Sequence, residues 1–150
     1  MYFANLCGWD AIKDYRFYQY GPYSEWVSRK LETLVQIEVV RETTDYYGDG
    51  QMIYKYNLTE NGRILANTIS NQIMQPELIN RTRKIFNKFG EYSKDELEIM
   101  SSLVFLRKTD PAKNDDELVS WVKQNKPRFT EDEIRKNLNV FSLLEETYNV

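Results

Sequence analysis

The chain has no histidine and only one cysteine, Cys7, in 150 residues. Without imidazole there can be no Ser-His-Asp or Cys-His nucleophile pair, no histidine general base and no histidine-ligated metal. A lone cysteine excludes an internal disulfide and a zinc site built on several thiolates, and Cys7 reads as a small buried hydrophobe. Long apolar runs are missing too. None approaches the roughly 18 residues that cross a bilayer, and the N-terminus lacks the basic start and apolar stretch of a signal peptide. A soluble, cytoplasmic protein with no membrane contact is expected. Nor is there an excess of positive charge: 20 basic residues face 23 acidic ones, for a formal net charge of −3. Binding to nucleic acid would therefore need a local basic face.

Carboxylates are the main catalytic candidates that remain. Asp115-Asp116 and Glu131-Asp132-Glu133 fall at expected helix starts, where acidic side chains complement the helix dipole and need no chemical role. Gly48-Asp49-Gly50 has neither an immediately following helix nor a loop lysine, so it is turn chemistry rather than a phosphate loop. The sequence predicts a protein that is not an enzyme and takes no cofactor and no metal.

The chain does have an apolar share of 41% and eleven tyrosines, enough for a globular core and for half-buried aromatic surfaces. Its length suits one compact domain, with a helix-hairpin-helix part over 1–75 and a helical part over 76–150. Residues 1–8 read as the last turns of an amphipathic helix with Phe3 and Leu6 inward and Gly8 near its cap, followed by a polar connection over 10–14. Arg16-Phe17-Tyr18-Gln19-Tyr20 suits a short extended piece stopped by Gly21-Pro22. Ser24 is a suitable N-cap, and Val27, Leu31, Leu34 and Val35 recur as one buried helical stripe. The opposite face carries Glu25, Ser28, Arg29, Glu32 and Thr33, with Lys30 on its flank.

The period then changes. Residues 37–42 and 52–56 favour strands, joined by a tip over 46–51 whose Gly48-Asp49-Gly50 tolerates positive φ. Thr59 caps a helix reaching about Met74, with Ile64, Leu65, Ile69 and Ile73 inward. From Pro76 onward the pattern is helical. The helix over 77–89 directs Leu78, Ile79, Ile85, Phe86 and Phe89 inward and Arg81, Arg83, Lys84 and Lys88 outward, and ends at Gly90. Ser93-Lys94-Asp95-Glu96 is a capping box for a central helix, apolar on more than one face, that breaks at Thr109-Asp110-Pro111. A short helix over 114–125 holds Leu118, Trp121 and Val122. Thr130-Glu131-Asp132-Glu133 starts the last helix, with Ile134, Leu138 and Phe141 on its apolar side and Leu144 at the edge.

The order helix, hairpin, helix is that of a winged helix. The expected class is α+β, mainly α with a small β-hairpin: a winged helix-turn-helix-like N-terminal part and a helical C-terminal part. In that fold the helix before the wing presents its outer face to the major groove, so Ser28, Arg29, Glu32 and Gln36 are nucleic-acid candidates, joined by Arg81 and Lys84 of the basic cluster. A solvated charged face accounts for the same residues. Tyr18, Tyr20, Tyr23, Tyr46 and Tyr47 are candidates for gripping a protein, although tyrosines on a hairpin also serve as cross-strand packing pairs. The aspartate at the wing tip stands where a minor-groove reader carries arginine or lysine. The expected function is a non-enzymatic winged-helix regulator acting on duplex DNA, with a protein-binding adaptor or antitoxin-like inhibitor as the alternative; duplex DNA, a protein partner and a second copy of the chain are the partners these features admit.

Tyr20-Gly21-Pro22-Tyr23-Ser24-Glu25 before an amphipathic helix, with Tyr56-Asn57-Leu58-Thr59-Glu60-Asn61-Gly62 closing the hairpin, resembles the YwgA-like proteins of bacteria and archaea. Asp95-Glu96-Leu97-Glu98 and the segment Lys126-Pro127-Arg128-Phe129-Thr130-Glu131-Asp132-Glu133-Ile134 resemble that family's C-terminal pattern. The likeness implies a winged-helix-like first part and a helical second part, and it brings no catalytic residues. A looser likeness to Panacea-type antitoxin domains, which also place Tyr-Gly-Pro before a helix, implies an antitoxin or inhibitory role. Such proteins carry a longer first helix, so either the start of this chain lies upstream or a partner covers the exposed edge. Where the family has a glycine after the recognition-like helix, this chain has Gln36-Ile37-Glu38, which predicts a less sharp helix end.

Overall fold

The computed structural model describes Tyr2, residues 14–46, Gly50, and residues 52–72 and 76–148, without the side chains of 70–72, 76, 78–79, 81–82 and 143–148. The expected turns around Phe3, Leu6 and Gly8, most of the 10–14 connection, the wing tip apart from Tyr46 and Gly50, and Ile73 lie outside the described residues. So do the side chains of Leu78, Ile79 and Leu144. The described architecture is mainly helical with two small two-stranded antiparallel sheets, as the α+β expectation has it. The chain divides into two compact units, one drawn from Met1–Ser24 with Asn80–Val150, the other being Glu25–Ile79. Residues 14–24 thus group with the helices at the far end of the chain, where a single division near residue 75 would have placed them with the hairpin.

In the discontinuous unit the chain first forms β1 (Arg16–Tyr18) and β2 (Gly21–Tyr23), paired with Phe17 opposite Pro22. Gly21-Pro22 was expected to end the extended piece and instead begins its return strand. Gly21 makes this possible with a φ of 106°, in the region that side chains avoid. It also lies tight on the helix beneath, since a Cβ here would stand 2.9 Å from the Ser101 hydroxyl.

The helices that follow are α3 (Pro76–Phe89), α4 (Lys94–Thr109), α5 (Asp115–Asn125) and α6 (Glu131–Tyr148). Local sequence sets their boundaries. Ser93 and Glu96 exchange hydrogen bonds in a complete capping box at the start of α4, Asn114 and Glu117 do so for α5, and Thr130 and Glu133 for α6. α4 is central, as its sequence predicts: residues 98–104 are all buried. One cluster joins Ile99, Leu103, Leu106, Leu118, Val119, Val122, Phe129, Ile134 and Leu138; a second joins Met100, Val104 and Phe141, with Tyr2, Phe89 and Tyr92 packed on it. The outward acidic residues of α5 pair with arginines, Asp115 with Arg107 at 2.8 Å and Asp116 with Arg135 at 2.7 Å. Phe86 departs from its expected inward place and is 69% exposed.

The second unit holds α1 (Glu25–Gln36), the hairpin β3 (Val40–Tyr46) and β4 (Met52–Leu58), and α2 (Glu60–Gln72). Thr59 caps α2 as expected. Its hydroxyl accepts from the Gly62 amide at 3.0 Å and donates to the Glu38 carbonyl at 2.6 Å, tying the helix start to the end of α1. Gly62 is the second position that requires glycine, because a Cβ there would lie 2.0 Å from the Val39 carbonyl oxygen.

α1 stops sharply despite lacking glycine. The Glu38 amide bonds the Val35 carbonyl and the Val39 amide bonds the Leu34 carbonyl, a Schellman pair, with Glu38 at φ 57°. The strand consequently starts at Val40 rather than Ile37. Three apolar expectations also change here. Ile64, Leu65 and Ile69 are exposed rather than inward, Leu34 is 37% exposed, and Ser28 takes the half-buried place beside Val27, Leu31 and Val35. Helical periodicity shows which side is apolar, but it does not say what covers that side.

Candidate binding surfaces

The β3–β4 hairpin has two unlike faces, and pleating sets them apart. On one lie Val40, Glu42, Thr44 and Tyr46, opposite Leu58, Tyr56, Tyr54 and Met52. On the other lie Arg41, Thr43 and Asp45, opposite Asn57, Lys55 and Ile53. The second face is polar apart from the half-buried Ile53: the Lys55 ammonium donates to Asp45 at 2.5 Å, which together with the Tyr46 amide holds the Asp45 carboxyl below its ordinary range. The first face is an aromatic ladder left open. Tyr46 is 68% exposed, Tyr54 50%, Met52 47%, Leu58 46% and Tyr56 41%.

The ladder carries acid as well. Tyr56 stands opposite Glu42 in the strand pair. Partial burial, and then the Glu42 carboxylate facing the phenol, with Tyr54 and Glu32 contributing, push it up to about 12. Glu32 belongs to α1 and also accepts from the Ser28 hydroxyl at 3.3 Å. No lysine or arginine among the described residues forms an ion pair with Glu32 or Glu42. At the ladder's base a cleft of about 530 Å³ is lined by Val35, Glu38, Val40, Arg41, Glu42, Thr59, Glu60 and Asn61.

The nucleic-acid candidates do not gather into a basic surface. Arg29 is tied to Glu25 at 2.5 Å, Ser28 faces partly inward, Glu32 lies near Tyr56, and Gln36 is exposed at the last position of α1. Arg81 and Lys84 belong to the other unit. Lys84 is exposed on α3, and the Arg81 side chain lies outside the described residues. Between residues 25 and 79 eight acidic side chains face five basic ones. Among the described residues no group of His, Cys, Asp and Glu is arranged to hold a metal, and no helix is long and apolar enough to cross a membrane.

No protein-family model matches the chain, and no curated protein matches it. Its function has to be argued from its surfaces.

Of the tyrosines chosen for protein contact, Tyr46 stands on the open ladder and Tyr47 lies outside the described residues. The other three sit on the β1–β2 hairpin, where they make intramolecular contacts. Tyr18 and Tyr23 stack at 5.4 Å, and Tyr20 is flanked by Lys94 at 5.5 Å and Arg128 at 5.8 Å. That hairpin is clamped to the helical unit from beneath. The buried Lys126 ammonium donates to the Gln19 carbonyl at 2.5 Å and to Glu98 at 2.9 Å, and lies 5.0 Å from the Phe17 ring centre. The other Glu98 oxygen accepts from Arg128 at 2.5 Å. Phe17 packs edge-on to Trp121 at 4.7 Å. The Tyr-Gly-Pro signature is therefore a docking element.

Sequence reasoning passed over Tyr54 and Tyr56 as ligand contacts, although the alternation Met52, Tyr54, Tyr56, Leu58 was there to be read as one face. It also missed the clamp. The signal was a glutamate inside an apolar helical run, but its partner lies 28 residues away.

Proposed function

We propose that this chain is a non-enzymatic protein-binding module, an adaptor or antitoxin-like inhibitor of the cytoplasm, that grips another protein through the open aromatic ladder of its β3–β4 hairpin. The ladder carries the reading: Tyr46, Tyr54, Tyr56, Met52 and Leu58 form one exposed face on a regular scaffold. Tyrosine and methionine are enriched at interface cores, and tyrosine gives up little rotamer entropy when it is covered. The acidic balance of residues 25–79 supports a protein rather than a phosphate backbone as ligand.

The experiment is a pull-down from source cells, with and without nuclease, using the wild type and the double variant Tyr54→Ser/Tyr56→Ser. A protein partner that survives nuclease and is lost with the variant, while circular dichroism stays unchanged, is the expected result. Equal capture by the variant, or recovery of nucleic acid alone, ends the reading.

A second reading is favoured by one observation, the order α1, hairpin, α2. It takes the chain as a winged-helix regulator of the YwgA-like type that reads duplex DNA with α1. Titration of duplex DNA at several salt concentrations, with Arg29→Glu alongside, decides it. Absence of binding at low salt, or binding equal to that of the variant, removes this reading.

A further inference from the structure

We infer that the surface gripped by the ladder is cationic: an arginine-rich segment of a partner protein, whose guanidinium groups lie on Tyr54 and Tyr56 beside the carboxylates of Glu32 and Glu42. This rests on the protein-binding reading and names the chemistry of the partner. The first ground is composition by face. The ladder side of the hairpin carries Glu42 and no basic residue, while the basic residues of the two strands, Arg41 and Lys55, stand on the opposite side. The second ground is convergence. Glu42 stands directly opposite Tyr56 in the strand pair and Glu32 of α1 adds its charge near the same phenol, and no described cation is ion-paired with either.

The third ground is that most of the positive charge elsewhere in the unit is already engaged, Arg41 at the cleft excepted. Arg29 is held by Glu25, Lys55 by Asp45 and Arg63 by Glu60, and Lys30 lies over the Trp26 ring at 5.6 Å. Glu38 and Glu42 line the cleft at the ladder's base together with Arg41, and Glu60 there is paired with Arg63. A carboxylate beside an aromatic face fits a planar guanidinium better than an ammonium. Guanidinium forks onto the carboxylate, stacks on the ring and loses less hydration in doing so.

The test uses the full chain and a fluorescent nona-arginine peptide read by anisotropy, with nona-lysine and nona-glutamate peptides for comparison. Saturable binding of nona-arginine, tighter than of nona-lysine and absent for nona-glutamate, is expected. Glu42→Gln and Tyr54→Ser should each weaken it about tenfold, whereas Glu131→Gln on α6 should change it by less than about twofold. Equal binding of the arginine and lysine peptides, or equal weakening by Glu131→Gln, would show generic attraction to an acidic protein and overturn the inference. So would nona-arginine failing to compete with a partner captured through the ladder; in that case protein binding stands and only its cationic chemistry falls.

Discussion

Between residues 80 and 150 lie twelve of the thirteen buried hydrophobic side chains among the described residues; between 25 and 79 there is one, Val40. The exposed large hydrophobics run the other way, with eleven of fifteen between 25 and 79. Both regions are written in the same amphipathic language. Ile134, Leu138 and Phe141 on α6 are spaced like Leu65 and Ile69 on α2, yet the first three are sealed and the last two face outward. The contrast separates two roles of an apolar residue. In the helical unit it is buried and stabilises the fold, and in the helix-hairpin-helix unit it is largely exposed. Local ties hold that second unit in shape: the Thr59 cap, the close approach at Gly62 and the hairpin ladder.

Substitutions sharpen or break this comparison. The largest effect is expected at the clamp. Lys126→Met leaves Glu98 charged and buried with one partner fewer and strips the Gln19 carbonyl of its donor. Urea unfolding should show a loss of about 3–5 kcal/mol. A loss below about 1 kcal/mol would mean that the clamp behaves like a surface pair. Next comes a matched truncation. Ile134→Ala should cost about 2–5 kcal/mol, while Leu65→Ala, 40% exposed, should stay within about 0.5 kcal/mol. Equal costs by the same measurement would erase the distinction between the units. The smallest effect is a gain. Glu38→Gly removes the left-handed penalty at the end of α1 and should raise stability by about 1 kcal/mol; a loss would show that the Glu38 side chain contributes more than its backbone geometry costs.

What could be read from the sequence follows from how local each cause is. The starts of α4 and α6 depend on two side chains three residues apart, so Ser93 with Glu96 and Thr130 with Glu133 announced themselves. The cap at Thr59 did the same. The central place of α4 was legible because Ile99-Met100 and Leu103-Val104 make it apolar on more than one face. The sharp end of α1 was less legible, since Glu38 adopts a conformation that its residue type disfavours. Gly21-Pro22 read as a stop because turn chemistry is local, whereas the pairing that makes it a strand depends on Gln19, Glu98 and Lys126. The covering of a helix face is equally non-local, and Ile64, Leu65, Ile69 and Phe86 were misplaced for that reason. The candidate ladder was half visible: Tyr46 was singled out, while its neighbours Tyr54 and Tyr56 were read only as part of a strand.

The bond from Lys126 to the Gln19 carbonyl spans 107 positions of the chain. During synthesis at roughly 5–20 residues per second, the β1–β2 hairpin therefore waits about 5–20 s for the residue that pins it. All of 25–79 is completed within that interval, before Lys126 is added, and its own ties are short-range. In a newborn molecule the residues of the tyrosine ladder are thus in place before the helical half is finished.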